Sequence, residues 1–432
     1  MSSSAEPEAD MTKHKPTKIC LFGHFGSANL GNEATLLAMV SRLRAAFPDC
    51  ELCCICTGPE DVVAAHAING VPHTARSRRI WDRRLSLPKR LGMLFLGLGE
   101  EIGEYRRAWR ILSGTEMFIV PGTGLLTDAF ELSGWGPYGL FRWSLVARLR
   151  RCKVMFVSVG VGPVETPKGR LLVKASLAFA DYRSYRDVPS KEVVEGLGLR
   201  VSGDRIYPDL VFGLPSPGSS APVIAREGRP TVALGLMAYS EKYSKGDAVG
   251  GTYERYVRSL VVFADWLLDR DYNIEFLVGD AAVDTTTIAD VKAALRRRTA
   301  DVDERLVHRS IASPQEFLSH LGGTDFVIAT RFHNVLMSLL VGRPVVAISF
   351  HHKCSSLMSE MGLSDYCLDI NGISPDRLIA KFEALVQHSD ELESTIRQHV
   401  DESRSALDEQ YELLFREELG ELRFVETETA AG

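Results

Sequence analysis

Apolar strand-like runs alternate with amphipathic helix-like runs along most of the chain, and this alternation restricts the available folds more than any other feature. The run KICLFGHFG, Lys18–Gly26, predicts a first strand, and EATLLAMVSRLRAAF after it carries apolar residues at helical spacing. Further strands are predicted at Glu51–Thr57, Met117–Val120 and Lys153–Val159. Because strands that alternate with helices form parallel sheets covered by helices, the predicted fold class is α/β.

One segment interrupts the alternation and predicts a domain boundary. GLPSPGSSAPVIAREGRP, Gly213–Pro230, is rich in proline, serine and glycine and has no apolar period. The predicted organisation is a disordered leader (1–16), an N-terminal Rossmann-like domain (17–213), a linker (214–229), a C-terminal Rossmann-like domain (230–388), charged helices (389–424) and a loose tail (425–432). The two Rossmann-like domains are expected to face each other across a cleft, where ligands bind beyond the carboxyl ends of the strands.

Composition and charge narrow the classes of function. The chain has 432 residues, of which 45% are hydrophobic and 25% charged, as in ordinary globular proteins. Its net charge of −6 argues against nucleic acid as a partner. The polar start, MSSSAEPEADMTKHKPT, lacks the apolar core of a signal peptide, and no apolar run is long enough to span a bilayer. We therefore expect a cytoplasmic protein without a transmembrane segment.

The stretch LGMLFLGL, Leu91–Leu98, is apolar but too short and too rich in glycine to cross a membrane. A buried helix is the favoured interpretation. Peripheral contact with a membrane surface or with a lipid-linked partner is the alternative.

Four of the eight cysteines, Cys50, Cys53, Cys54 and Cys56, cluster on the predicted strand ELCCICTG. No second pair of cysteines stands at the spacing of a zinc site. We interpret the cluster as small buried hydrophobic residues, with a metal site as the alternative, and expect no metal in the functional site.

The stretch ATRFHNVLMSLLVGRPVVAISFHHK places basic side chains behind two consecutive apolar strands. Arg331 and His333 follow the first strand, and Lys353 follows the second. If the strands are parallel neighbours, the three side chains lie on one rim of the sheet. Arginine and lysine bind carboxylates or phosphates, and histidine titrates near neutral pH. The pattern predicts an anion site that contains a titratable group; a purely structural histidine at a helix start is the alternative.

Loops in the first half of the chain carry further candidate residues behind strands. GHFGSANLGNEA after the first strand suits a tight turn whose helix N-terminus meets an anion. PGTGLLTD suits a substrate-lining loop, in which Asp128 binds a sugar hydroxyl, acts as a base or caps a helix. Arg186 in SYRD also follows a short strand, with a plain ion pair to an aspartate as the alternative. Asp209 in YPDLVF lies near the predicted domain junction.

Six of these segments occur in the order found in the polysaccharide pyruvyl transferases, which the chain resembles over about residues 18–370. The segments are GSANLGNEA, PGTGLLTD, SVGVGP, SYRD, PDLVF and RFHNVLMSLLVGRPVVAISFHHK. The family pattern in the last segment is Arg-x-His, a helix, Gly-x-Pro, a strand and then Lys. This chain matches it with Arg331, His333, Gly342, Pro344 and Lys353. The first loop departs from the pattern, with Asn32 where the family has aspartate, and PGTG stands in for three consecutive glycines.

The resemblance implies a fold like that of the GT-B glycosyltransferases and an enzyme that uses phosphoenolpyruvate as co-substrate, with no cofactor. The pyruvyl unit moves onto two hydroxyls of a sugar, which gives a cyclic ketal and phosphate. By the same resemblance, His333 is the catalytic acid/base, and Arg186, Arg331 and Lys353 are phosphoenolpyruvate ligands.

The N-terminal domain is predicted to supply the acceptor side of the cleft. Its loops place four residues as an acceptor lining: Asn29, Gly31, Asn32 and Gly124. Loop position also suggests Glu33 or Asp128 as a second acid/base group opposite His333. The acceptor is a sugar of a cell-surface polysaccharide or its precursor, and lipid-linked, nucleotide-linked and polymeric forms stay open.

Two other functions are weighed against this one. The first is a glycosyltransferase of similar fold that uses a nucleotide sugar, and the second is a non-catalytic member of the same pathway. In the related fold a final helix often crosses back to the first domain, so the helices at 389–424 are expected to bridge the domains; a surface for a partner is the alternative.

Overall fold

The computed structural model of the chain describes residues 15–27, 29–75, 87–128, 136–216, 228–239, 251–279, 284–297, 303–309 and 311–418. For 87–96, 303 and 416–418 only the backbone is described. Nearly all of the predicted leader, most of the predicted linker and the predicted tail therefore lie outside the described residues.

The first sheet has seven parallel strands in the order β3-β2-β1-β4-β5-β6-β7. Its strands are β1 (Lys18–Phe22), β2 (Glu51–Cys56), β3 (Asn69–Pro72), β4 (Met117–Pro121), β5 (Lys153–Val159), β6 (Tyr182–Tyr185) and β7 (Arg205–Ile206). Its helices are α1 (Leu30–Ala46), α2 (Pro59–His66), α3 (Leu87–Ile111), α4 (Pro137–Leu149), α5 (Pro167–Ala178) and α6 (Val188–Gly196). A 3-10 helix, Leu210–Gly213, follows the sheet.

The second sheet has six parallel strands in the order β10-β9-β8-β11-β12-β13. Its strands are β8 (Thr231–Leu236), β9 (Asn273–Val278), β10 (Leu306–His308), β11 (Phe326–Ala329), β12 (Val345–Ser349) and β13 (Cys367–Asp369). Its helices are α7 (Thr252–Asp269), α8 (Asp284–Arg296), α9 (Pro314–Gly322), α10 (Phe332–Leu340), α11 (His352–Glu360) and α12 (Pro375–Gln387). Three further 3-10 helices are Asp303–Arg305, Ser364–Tyr366 and Ile370–Gly372.

Both sheets are covered by helices on their two faces, which explains why their central strands are apolar throughout. Every residue of β4, β8 and β9 is buried. Parallel strands covered on both faces are expected to read as continuous apolar runs rather than as alternating ones. The prediction of two parallel α/β units is therefore confirmed, and the strand predicted at Lys153–Val159 has those bounds.

The 30-residue helix α13 (Ser389–Glu418) crosses from the second unit to the first. Arg404 on this helix donates to the carbonyl oxygens of Phe212 and Leu214. Gln410, fully buried, bonds Ser158 and Ser184 at the carboxyl ends of β5 and β6. The helix therefore contacts the first sheet at the carboxyl ends of its strands, which is where ligands of such a sheet are expected to bind.

The cysteines of ELCCICTG lie on β2 and are buried, as is Cys50 just before it. Cys53 pairs in register with Cys20 on β1. The interpretation of these residues as small buried hydrophobic side chains is thus confirmed.

The stretch Leu91–Leu98 belongs to α3, but the side chains of 91–96 lie outside the described residues. Leu98 itself is exposed, so the interpretation as a buried helix is wrong at this position. Among the described helices, none combines the length and the apolar character that a bilayer span requires.

Candidate active site

In each sheet the strand order reverses at one point, between β1 and β4 and between β8 and β11. Ligands of open α/β sheets bind in the crevice beyond the carboxyl ends of the strands at such a reversal. The two crevices face each other in this structure. The amide of Leu30, at the start of α1, donates to the carbonyl oxygen of Gly279 after β9, over 3.3 Å.

Gly31 of the first domain lies directly against His333 of the second. A Cβ atom built on Gly31 would lie 2.0 Å from Nδ1 and 2.2 Å from Cγ of the imidazole. No side chain fits into that space, so the glycine lets the first turn of α1 approach the histidine. Gly31, predicted to line the acceptor side, and His333 are thus brought together.

His333 stands in the first turn of α10, and its Nε2 is buried without a hydrogen-bond partner. Burial lowers its pKa to about 4, because a charged imidazolium would be poorly solvated here. The carboxylate of Asp209 acts to raise the pKa, the cations of Arg186, Lys353 and Arg331 act to lower it, and about 4 is the net result. The imidazole is therefore neutral at pH 7.

Lys353 follows β12, and its ammonium reaches the loop after β4 in the other domain. A Cβ atom on Gly124 would lie 3.5 Å from Nζ of Lys353. Among the described residues the ammonium forms no hydrogen bond or ion pair. Burial and the neighbouring Arg186 lower its pKa to about 8. The start of α11 is capped by His351, whose Nδ1 accepts from the amide of Lys353 over 3.4 Å.

Arg186 extends from the carboxyl end of β6 to the second domain, where its guanidinium carbon lies 4.5 Å from the ring centroid of Phe332. Its Nη1 donates to Asp209 over 2.9 Å, and its Nε lies 3.6 Å from Asp187. A Cβ on Gly160 would lie 2.6 Å from its Nη2, so Gly160 makes room for the side chain. Arg186 thus forms ion pairs with aspartates and also lies beside the cleft, as the two sequence-based interpretations expected.

Arg331 forms a bidentate ion pair with Asp284, a partner that the sequence did not predict. Its Nε and Nη2 donate to the two carboxylate oxygens of Asp284 over 2.5 and 2.7 Å. Asp284 is fully buried at the start of α8 and also accepts from the amide of Ala238. The predicted rim of three basic groups exists, because β11 and β12 are parallel neighbours. Within it, Arg331 is fixed by Asp284, whereas Lys353 is unpaired among the described residues.

Three polar residues of the first loop are engaged in holding the loop itself. Asn29 caps α1 by accepting from the amide of Asn32, and the Asn32 side chain donates to the carbonyl of His24. Glu33 accepts from the amides of Gly26 and Ser27. Burial raises the pKa of Glu33, while these amide bonds act to lower it. These residues shape the turn that brings Gly31 to His333.

The carboxylate of Asp128 is directed at the N-terminus of α5. It accepts from the amides of Glu165 and Thr166 and from the hydroxyl of Thr166, the last two over 2.6 Å each. A Cβ on Gly169 would lie 2.4 Å from its Oδ2. The helix-capping alternative is wrong, because Thr166 caps α5 by accepting from the amide of Gly169, and Asp128 holds the two residues before that helix. A catalytic part for Asp128 stays a prediction without support from these contacts.

A cavity of about 250 Å³ opens between the two domains behind Arg186 and Lys353. The first domain contributes Asp187 and Asp209, and the second contributes Phe332 and Glu360. Helix α13 closes one side with His399, Glu402, Ser403 and Ala406. The bridging helix is thus part of the wall of this cavity, whose lining includes Arg186 and Lys353 but not His333.

Sequence reasoning missed Asp284, Phe332 and the α13 residues. Asp284 lies 47 positions before its partner Arg331, and its neighbours in sequence carry no motif. Phe332 is the variable residue of the Arg-x-His motif, and nothing in the motif indicates that its ring packs against Arg186. No local signal in the charged sequence of α13 marks its cavity-lining residues.

The fold defines a two-domain α/β protein of the GT-B type, with basic side chains and a buried histidine nitrogen between its domains. Residues 29–352 match the family model for polysaccharide pyruvyl transferase. That match spans most of the chain and includes Gly31, Arg186, His333 and the rim up to His352. The chain therefore belongs to the polysaccharide pyruvyl transferase family, whose common role is pyruvyl transfer.

Individual proteins agree with this assignment. The chain is 24% identical over 288 residues to the amylovoran biosynthesis protein AmsJ of Erwinia amylovora, covering 64% of this chain and 68% of AmsJ. Among solved structures, UDP-GlcNAc 2-epimerase of Neisseria meningitidis bound to UDP-GlcNAc superposes with a TM-score of 0.58 at 10% identity, covering 92% of this chain and 99% of the epimerase. Anabaena HepE in complex with UDP-glucose superposes with a TM-score of 0.56 at 10% identity, covering 94% of this chain and 100% of HepE. These two likenesses establish the fold alone.

Proposed function

We propose that the chain transfers the pyruvyl group of phosphoenolpyruvate to a sugar of a cell-surface polysaccharide or its precursor, forming a ketal and releasing phosphate. Family membership and the relationship to AmsJ, a protein named for amylovoran biosynthesis, support pyruvyl transfer in polysaccharide synthesis. The donor, the ketal chemistry and the roles of single residues are the proposed part.

One observation carries the proposal: a histidine nitrogen and a lysine ammonium in the cleft form no hydrogen bond with any described residue. They are Nε2 of His333, which is buried, and the ammonium of Lys353. Buried polar groups without a partner are rare, because leaving them unpaired costs free energy. A ligand with anionic oxygens and a site of proton transfer satisfies both groups at once.

Phosphoenolpyruvate matches the charges around these groups. It carries a carboxylate and a phosphate whose second pKa is about 6, so its charge at pH 7 approaches about −3. Lys353 supplies a point charge, and Arg186 supplies a planar fork. Asp209 and Asp187 partly neutralise Arg186, which leaves Lys353 as the principal anchor for the donor. Arg331, fixed by Asp284, adds positive potential from the rim.

The proposed reaction balances with one histidine and two sugar hydroxyls. A proton is delivered to the methylene carbon of phosphoenolpyruvate, which becomes the methyl group, while a sugar hydroxyl loses its proton and bonds to the adjacent carbon. The oxygen of the second hydroxyl then bonds to the same carbon, and the bond from that carbon to the phosphate oxygen breaks. The proton of the second hydroxyl leaves with the phosphate. Positive groups at the phosphate stabilise its departure.

His333 suits the proton transfers because its protonation state depends on the donor. Its pKa is about 4, so at pH 7 it is a neutral base. The negative charge of bound phosphoenolpyruvate favours the imidazolium and raises this pKa toward the working pH. The histidine then carries the proton that the methylene carbon needs, and becomes a base again after giving it up.

The acceptor is placed on the first-domain side of His333, along the loops that contain Gly31 and Gly124. Gly124 lies against Lys353 without a side chain, so a sugar hydroxyl can approach the donor there, whereas the space at Gly31 is filled by the imidazole of His333. Glu33 and Asp128 are assigned no catalytic part, since their carboxylates hold the backbone amides of loops.

The test begins with the donor. We expect phosphoenolpyruvate to raise the melting temperature of the wild type, because a ligand that binds only the folded state stabilises it. Lys353→Ala should abolish this shift, whereas Lys168→Ala, an exposed lysine on α5, should keep it. UDP-glucose and UDP-GlcNAc serve as competing probes, since the two similar structures hold UDP sugars.

The second stage measures phosphate release from phosphoenolpyruvate with free, UDP-linked and lipid-linked sugars. His333→Asn should keep the binding shift and lose phosphate release about a hundredfold or more, the usual contribution of acid–base catalysis. Binding of UDP sugars alone, with no phosphate release from any acceptor, would replace the proposal with the glycosyltransferase alternative. Donor binding that ignores Lys353→Ala would remove the proposed donor site.

A further inference from the structure

The outer face of α3 and the end of α4 present several large apolar side chains beside arginines. We define the α3–α4 face by Leu98, Ile102, Arg106, Trp109 and Arg110 of α3 together with Leu149 of α4 and Arg150 after it. The side chains of Leu98, Ile102, Trp109 and Leu149 are 59%, 46%, 45% and 59% exposed. Four large apolar side chains are thus presented to solvent within one region.

The α3 residues of this face recur every three or four positions and therefore lie along one side of the helix. Trp109 and Leu149 line a shallow groove of about 560 Å³, with Tyr105 and Val146 at its base. The guanidinium of Arg150 lies 4.9 Å from the ring centroid of Trp109. The apolar groups are therefore continuous and are edged by arginines.

Two acidic residues of α3 point toward α4. Glu104 is buried against Arg142 of α4, at 3.2 Å. Glu101 accepts from the hydroxyl of Tyr138 over 2.6 Å. Arg106 and Arg110 are exposed and form no ion pair with any described residue. A helix of a globular protein normally turns its apolar side inward and mixed charges outward. Here Glu101 and Glu104 contact α4, while two arginines and several large apolar side chains face out.

We propose that the α3–α4 face is a docking surface for an anionic phospholipid bilayer. A helix that presents arginines together with leucine, isoleucine and tryptophan is typical of segments that lie in the membrane interface. The chain as a whole has a net charge of −6 and would be repelled by anionic lipid, so a local basic face is required for attraction. Arg106 and Arg110 supply this charge complementarity.

A second copy of the chain fits the face less well. In a twofold dimer the same surface meets itself, so the unpaired Arg106 and Arg110 of one copy would approach those of the other. An anionic bilayer accepts both the arginines and the apolar side chains, because the long arginine stems keep their charges at the headgroups while the tryptophan and leucines enter the boundary. The docking surface is independent of the donor chemistry proposed above.

The test is co-sedimentation of the full chain with vesicles of phosphatidylcholine alone and of phosphatidylcholine mixed with phosphatidylglycerol. We expect binding to the anionic vesicles, weakened at high ionic strength. Arg106→Glu/Arg110→Glu should reduce the affinity at least about tenfold, since each arginine near an anionic surface contributes about 1 kcal/mol, or roughly fivefold. Leu98→Ser/Trp109→Ser should reduce it to a similar degree.

Matched controls change exposed residues elsewhere. Leu171→Ser on α5 replaces a leucine that is 67% exposed, and Arg397→Glu reverses an exposed arginine on α13. Both should bind vesicles like the wild type, and circular dichroism checks that every variant is folded. Equal binding to both kinds of vesicle, no binding by the wild type, or a dimer that Trp109→Ser dissociates would overturn the proposal.

Discussion

The imidazole of His333 occupies the space that a side chain at Gly31 would need, with Nδ1 2.0 Å from the position of the missing Cβ. The first helix of one domain therefore touches the proposed acid/base group of the other. The contact makes the glycine a requirement of the closed cleft rather than of the first domain by itself.

Gly31→Ala should therefore impair catalysis more than folding. The new methyl group collides with the ring, so the domains cannot close without moving His333 off its position. We expect the rate of phosphate release to fall at least about tenfold, as a misplaced catalytic group usually does, with little change in the melting temperature. Gly196→Ala on α6, where an added Cβ meets nothing within 4 Å, is the matched control. Full activity of Gly31→Ala would show that this contact is absent in the working enzyme.

Asp284→Asn should weaken both the fold and the donor site. The substitution removes the charge that fixes Arg331 and leaves a buried guanidinium contact imperfectly satisfied. We expect a loss of about 1 to 3 kcal/mol in the free energy of unfolding, together with a raised KM for phosphoenolpyruvate. Chemical denaturation and steady-state kinetics measure the two effects. Asp290→Asn, exposed on the same helix, should change neither, and an unchanged KM in Asp284→Asn would assign the pair a structural part alone.

Lys353 should set the alkaline limit of donor use. Its pKa in the free enzyme is about 8, so the ammonium is charged below this pH and increasingly neutral above it. Because the neutral amine no longer attracts the donor, kcat/KM for phosphoenolpyruvate should fall about tenfold per pH unit above the pKa. Lys353→Arg keeps its charge and should remove this limb of the pH profile, while Lys168→Arg should preserve it. A limb that persists in Lys353→Arg belongs to another group.

His333 should make the fold less stable in mild acid. Its pKa is about 4 in the folded protein and close to 6.5 when unfolded, so between these values the unfolded chain binds more protons. Stability contributed by the neutral imidazole is complete above pH 6.5 and is lost as the pH falls toward 4, by about 1 to 3 kcal/mol. Since His351 and other histidines also have lowered pKa values, the effect of His333 is the difference between wild type and His333→Asn.

Melting temperatures of the two proteins from pH 7 to pH 4.5 provide that difference. The wild type should lose more stability than His333→Asn over this range. His388→Asn, an exposed histidine, should follow the wild type. Parallel curves for wild type and His333→Asn would mean that the imidazole is not held neutral by its surroundings.

Asp128→Ala should act through stability. The carboxylate accepts from two backbone amides and one hydroxyl just before α5, and losing a hydrogen bond of this kind costs about 1 kcal/mol. We expect a lower melting temperature and a nearly unchanged kcat for the folded enzyme. A hundredfold loss of kcat at unchanged stability would instead restore Asp128 as the second acid/base group.

The sequence alone determined the two parallel α/β units and the chemical character of the site. A strand buried on both faces requires a continuous apolar run, as in Lys153–Val159. Such a run is visible in the sequence without knowledge of distant residues. His333 and Lys353 were found because each follows an apolar strand, and parallel strands end at one edge of the sheet. These inferences depend only on neighbours in the chain and on the regular geometry of a sheet.

The tertiary structure alone decided which of the basic groups stays unpaired. Arg331 meets Asp284 from 47 positions away, and Gly31 meets His333 from the other domain. The pKa values of His333 and Lys353 are lowered by burial between the domains and by the positive charge of Arg186, which follows β6 in the first domain. Desolvation and electrostatic potential depend on distances through space, and those distances exist only once the two sheets and α13 are packed together.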